Sequence, residues 1–314
     1  MNACDRRVRP IVHSVALVAA LAGCSRVTGL PPVPKTLTRH DAGLDGLDRL
    51  RAEARELASG TGPGIAALAA RVAAEPENLA VGNAFRMQIY RAKRAYIAAA
   101  LSRGERSPAL PPELAGEPLA TLTRAASGRP TRELGVQIAL AHVDQMVLNP
   151  ALEVKAPASI DSVHAFTAVL AEAPYYVPAL VGRGLNHLNR PRHLVWPEHP
   201  APPADAASTD LALATAVGAK VGGASPRVRG LLLLLLGDAY AHEGKSGLAR
   251  SWWTLAASAT DDRAVAAELA VRAEWPESEM VDRLEARLEE RMEDADAPLS
   301  DLSFLWDDTA RGPW

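Results

Sequence analysis

Three groups of residues in this chain have side chains whose types and spacing suit chemistry. Asp238 and His242 stand four residues apart. On a helix that spacing puts both on one face, where the carboxylate can orient the imidazole as a general base. No nucleophile accompanies them. His187, His193 and His199 recur every six residues, with Glu198 beside the last, around the proline-rich stretch 190–200. Imidazoles with a carboxylate are zinc-ligand types, but a six-residue step shares no helix face and the prolines stiffen the loop. The expectation is a surface loop anchored by Trp196, with no metal. Arg86, Arg91, Lys93 and Arg94 cluster with Met87, Ile89, Tyr90 and Tyr96. Such a cluster can receive an acidic peptide, and it is also what the solvated face of an amphipathic helix looks like. The chain has no G-x-S-x-G, P-loop, H-E-x-x-H or C-x-x-C-H pattern, so the hydrolase, nucleotide, metalloprotease and haem readings lack their mechanical parts. A non-catalytic protein without cofactor is expected.

The elements that must position these groups read as helices. Aromatic residues make up 4% of the chain, and its apolar content is mostly Ala and Leu. Apolar residues recur at three- and four-residue spacing from Leu44 onward, and the breaks fall at Gly and Pro. This predicts helices near 42–58, 63–75, 77–103, 112–127, 131–148, 159–172, 175–189, 205–218, 226–243, 246–259, 263–274 and 277–293. Ser225-Pro226 is a strong start signal: the hydroxyl accepts from a free helix amide, and the missing proline N–H costs nothing in the first turn. The run Leu231 to Leu236 lies between Arg229 and Asp238 and is far short of the roughly 20 apolar residues that a membrane span needs. It predicts a helix buried on nearly every side. Val281, Leu284, Leu288 and Met292 form one stripe on the last helix, which suits a cap on the fold or a partner helix.

The amino terminus carries a different signal. Arg6, Arg7 and Arg9 precede an apolar run from Ile11 that ends in Leu21-Ala22-Gly23-Cys24. The stretch resembles the lipobox of bacterial lipoproteins. That resemblance implies cleavage before Cys24, lipidation of Cys24, and an anchor strong enough for stable membrane attachment. Ser25 follows, where inner-membrane retention in the enterobacterial pattern uses Asp, so the outer membrane facing the periplasm is implied. The resulting division is a signal peptide (1–23), the lipidated cysteine with a Pro-rich tether (24–41), a helical domain (42–293) and a tail (294–314). Cleavage removes three Arg and one Asp, leaving 31 basic and 36 acidic residues, a charge of −5. A phosphate-neutralising surface is not expected from that balance, so nucleic acid is excluded as a partner. Cys4 leaves with the signal and Cys24 is consumed, so no disulfide can form.

Within 233–256, Leu233, Leu236, Gly237, Tyr240, Gly244, Ala249, Trp253 and Ala256 have a spacing that resembles one tetratricopeptide (TPR) repeat. Small residues at 237, 249 and 256 would let two antiparallel helices approach, Leu236, Tyr240 and Trp253 would fill the gaps, and Gly244 would make the turn. Phe166, Val169, Pro174, Tyr176, Ala179, Leu180 and Gly184 match across a repeat junction, and Ala73 through Pro76-Glu77-Asn78 to Phe85 and Tyr90 match more weakly. First helices starting near Leu79, Val177 and Gly230 are separated by 98 and 53 residues, neither a clean multiple of the roughly 34-residue period, so insertions must intervene. The resemblance implies an all-α, right-handed solenoid of antiparallel helix pairs whose first helices line a concave groove. That groove would present Asn83, Met87, Arg91, Leu185, Asn189, Asp238 and His242 to an envelope protein or peptide. Alternatives are an accessory ligand-binding lipoprotein of a solute transporter, or a hydrolytic or metal-dependent envelope enzyme.

Overall fold

A computed structural model of the full chain describes residues 30–35, 37, 62–105, 118–148, 152–191, 203–221 and 225–293. The expected signal peptide (1–23), Cys24, Ser25, the helix expected over 42–58, His193, Trp196, Glu198, His199 and the expected tail (294–314) lie outside the described residues. The rest is all-helical with no strand among the described residues, and consecutive helices pack on one another. The helices fall into two compact units, one within His40–Asn186 and the other within His187–Glu289.

The first unit holds α1 (Gly62–Ala74), α2 (Leu79–Ser102), α3 (Pro118–Gly128), α4 (Arg132–Leu148), α5 (Leu152–Glu172) and most of α6 (Val177–Leu188). Two of these helices start at a side-chain acceptor. Asn78 caps α2 by accepting from the Val81 amide at 3.3 Å. Thr131 caps α4 by accepting from the Leu134 amide at 3.2 Å, and its hydroxyl also donates to the Pro76 carbonyl, tying the start of α4 to the turn before α2. Leu68 and Val72 of α1, Val81, Phe85 and Ile89 of α2, Leu122 of α3 and Leu134 and Ala141 of α4 form one buried cluster. They recur at helical spacing, so each helix turns one stripe inward. The helix expected from 159 begins at Leu152 and runs through Pro157. The proline sits in the second turn with its ring exposed, so continuing the helix sacrifices one hydrogen bond, which packing against α4 offsets.

The second unit holds α7 (Pro203–Val221), α8 (Pro226–His242), α9 (Ser246–Ala259), α10 (Arg263–Ala273), a 3-10 turn (Glu277–Glu279) and α11 (Met280–Glu293). Ser225 Oγ accepts from the Val228 amide at 3.2 Å and Pro226 occupies the first turn, as the start signal predicts. The six leucines of α8 are all buried, so this helix is surrounded rather than amphipathic. Gly244 turns the chain between α8 and α9 at a φ of +79°, which favours glycine. A Cβ on Gly237 would stand 2.4 Å from Trp253 Cδ1, so the absent side chain is what admits the indole. Ala249 and Ala256 are fully buried. Leu284 and Leu288 of α11 are buried as well, and Arg287 of that helix pairs with Glu268 of α10; these positions of the stripe are used inside the unit.

Candidate functional site

The seven residues expected to line a groove divide between the units. Asn83, Met87, Arg91 and Leu185 belong to the first, and Asn189, Asp238 and His242 to the second. Of the seven, Arg91 alone is exposed; Met87 and Asn189 are half-buried, and Asn83, Leu185, Asp238 and His242 are buried. The reason is chemical in each buried polar case.

Asp238 is 0% exposed because its carboxylate is the centre of an internal network. Its Oδ1 accepts from Arg272 Nε at 2.6 Å and from Trp253 Nε1 at 3.0 Å, and its Oδ2 accepts from Arg272 Nη2 at 2.8 Å. Arg272 Nη1 donates to Glu268 Oε2 at 2.6 Å and to the Glu268 carbonyl at 3.0 Å. Arg287 closes the chain onto Glu268. Burial pushes the Glu268 carboxyl up, but the hydrogen bonds from Arg287 and Arg272 outweigh it and hold the group below its ordinary value. Burial likewise pulls Arg272 down, and the Asp238 and Glu268 carboxylates more than reverse this. The carboxylate therefore serves the arginine and the indole, and the His242 Nε2 lies 3.2 Å from Glu285 of α11. Fixed donors reach both Asp238 oxygens.

On α2, Asn83 is buried because Oδ1 accepts from Arg86 Nη2 at 2.9 Å. Arg86 is 3% exposed; its Nε donates to Gln137 Oε1 at 3.3 Å, and Nη1 reaches both Asp144 oxygens at 2.6 Å. Thus the basic cluster is not one solvated face: Arg86 and Lys93 are buried, Arg94 is half-buried and Arg91 is exposed. Arg94 donates to the Tyr90 hydroxyl at 2.9 Å.

Arg86, Ile89, Tyr90 and Lys93 on α2 and Ala141, Asp144, Gln145 and Leu148 on α4 line a cleft together with Pro118 and Leu119 of α3. The cleft has room for about one water-sized occupant, roughly 20 Å³. Sequence reading passed over Asp144, Gln137, Arg272 and Glu268.

Burial lifts the Asp144 carboxyl from its ordinary 3.8 to about 6, against the lowering effect of Arg86. The folded state then holds this proton more tightly than the unfolded chain does. Its contribution to stability is full below about pH 3.8 and is lost as pH rises through about 6. Urea unfolding across that window should show wild type losing on the order of 2–3 kcal/mol relative to Asp144→Asn. Parallel pH profiles for the two proteins would contradict this.

His187 is buried, and its two proposed companions lie outside the described residues. Among the described residues no group of three or more His, Cys, Asp or Glu is placed to hold a metal ion. No described helix is long and apolar enough to cross a membrane. No protein-family model, characterised protein or solved structure matches the chain.

Proposed function

We propose that this chain is an envelope lipoprotein, anchored through lipid on Cys24, that acts without catalysis as a scaffold for another protein or peptide. In this reading the helices continue as a right-handed, divergent TPR-like solenoid, and the outer membrane facing the periplasm is its site of action. The observation that carries the scaffold is the α8–α9 hairpin, where Gly237 admits Trp253, Ala249 and Ala256 are buried, and Gly244 turns the chain at positive φ. Those are the steric duties that the TPR resemblance assigns to these positions. The anchor is supported by Leu21-Ala22-Gly23-Cys24 and the basic and apolar segments before it.

Asp238 is a core residue, so the partner-binding face is centred on Met87 and Arg91 of α2. Crosslinked pull-down from native membranes should capture one defined envelope protein. Arg91→Glu should reduce that capture at least tenfold with an unchanged circular dichroism spectrum and melting point. Equal capture by the variant would refute the surface assignment. Metabolic labelling with an alkynyl fatty acid should mark wild type and not Cys24→Ala; an unlabelled wild-type protein would remove the lipoprotein reading.

A further inference from the structure

The cleft between α2 and α4 has an unbalanced charge. Residues 86, 89, 90 and 93 form one helical stripe and 141, 144, 145 and 148 form the stripe opposite, so two cations and one carboxylate face a common space. Arg86 and Asp144 satisfy one another. Lys93 is only 7% exposed and makes no ion pair or hydrogen bond among the described residues, although its charge acts on Asp144 at longer range. The Lys93 stem is what is buried, while its ammonium keeps contact with solvent and leaves three donors for an anion that enters the cleft. Tyr90 adds a second donor. Its oxygen accepts from Arg94, and burial pushes its ionisation above the ordinary 10.0, so the hydroxyl proton stays in place for donation. The amino-terminal end of α3 at Pro118 and Leu119 contributes partial positive charge from the helix dipole.

We propose that this cleft is a carboxylate-binding subsite. One oxygen of the carboxylate fills the water-sized space and accepts from the Lys93 ammonium and the Tyr90 hydroxyl. Arg86 stays committed to Asp144, Asn83 and Gln137 and fixes the wall. The small volume suits a planar carboxylate better than a tetrahedral phosphate or sulfate. The group can come from a small organic acid or from the acidic side chain of a peptide. The proposal does not depend on the scaffold reading, because it concerns Lys93 and Tyr90 and not Arg91.

The test is thermal unfolding of the full chain in detergent at neutral pH and constant ionic strength, with chloride exchanged for acetate. A blocked peptide containing one glutamate is titrated in parallel. A ligand that binds only the folded state raises the melting point with its concentration. Wild type should respond to acetate, to the peptide, or to both, which separates the two sources. Tyr90→Phe should weaken the response about tenfold, and Lys93→Met, which keeps the packed stem, should abolish it. A wild type that responds to neither carboxylate would overturn the proposal, as would an undiminished response in Lys93→Met. A second readout does not depend on that variant's folding. The chain has five lysines, at 35, 93, 155, 220 and 245, so reductive 13C-methylation gives a resonance for each. The resonance missing from Lys93→Arg should move with acetate while the other four stay; a Lys93 resonance that does not move refutes the subsite.

Discussion

Arg272→Met should destabilise the protein by about 3–5 kcal/mol in chemical denaturation, the largest effect expected of a single substitution here. Arg272 is 1% exposed and Asp238 0%, so neither charge has recourse to water. The methionine keeps most of the volume and the apolar stem but removes every donor. Asp238 is left with the Trp253 indole alone, and Glu268 with Arg287. The guanidinium also lies 5.2 Å from the centre of the Trp275 ring, and that contact is lost too. Most of the cost is an uncompensated buried carboxylate and not the worth of the pair itself. Asp238→Leu combined with Arg272→Met should therefore recover more than half of the loss. Arg287→Ala should cost about 1 kcal/mol or less, because that residue sits at the partly exposed rim of the network. A loss below about 1 kcal/mol for Arg272→Met would mean that water reaches the network and that the burial argument fails.

Gly182→Ala should cost about 2–3 kcal/mol, with the sign set by a single contact. A Cβ there would lie 2.1 Å from Cζ and 2.3 Å from Cε1 of Phe166, which is itself fully buried. Alanine is otherwise the better helix former by about 1 kcal/mol, so the measured loss is what remains after that gain. Phe166→Leu in the Gly182→Ala background should restore part of the stability by vacating the space, whereas in wild type it leaves a cavity and destabilises. The two substitutions should be strongly non-additive. Gly218→Ala, in α7, is the control. Nothing among the described residues comes within 4 Å of a Cβ at that position, so this change should stabilise by about 0.5–1 kcal/mol. If Gly182→Ala and Gly218→Ala shift the unfolding midpoint alike, α5 and α6 do not meet at Phe166.

The resemblance at the α5–α6 junction named Phe166, Val169, Pro174, Tyr176, Ala179 and Leu180; Pro174 is exposed and the other five are buried. It placed the small residue at Gly184, whereas the residue that receives the Phe166 ring is Gly182. Spacing along one helix says which face is small, but the ring that fills the gap arrives from another helix at an angle set by packing. The α8–α9 hairpin was legible in more detail because both partners and the turn lie within one short segment.

Amino-acid order alone determined the helical class, the start at Ser225-Pro226, the turn at Gly244, the all-round burial of Leu231 to Leu236 and the motif ending in Cys24. These depend on propensity, capping and periodicity, which act over a few residues. Only the tertiary structure decided which charges are solvent-facing. The repeat resemblance puts Asp238 and His242 on a groove, yet both are buried and Asp238 is held by Arg272, 34 residues away. Arg86 and Arg91 read as one basic face, yet Arg86 is held by Asp144, 58 residues on, while Arg91 is exposed. A buried charge is tolerated only where an opposite charge and complementary donors are brought to it, and that pairing exists only once distant helices have packed.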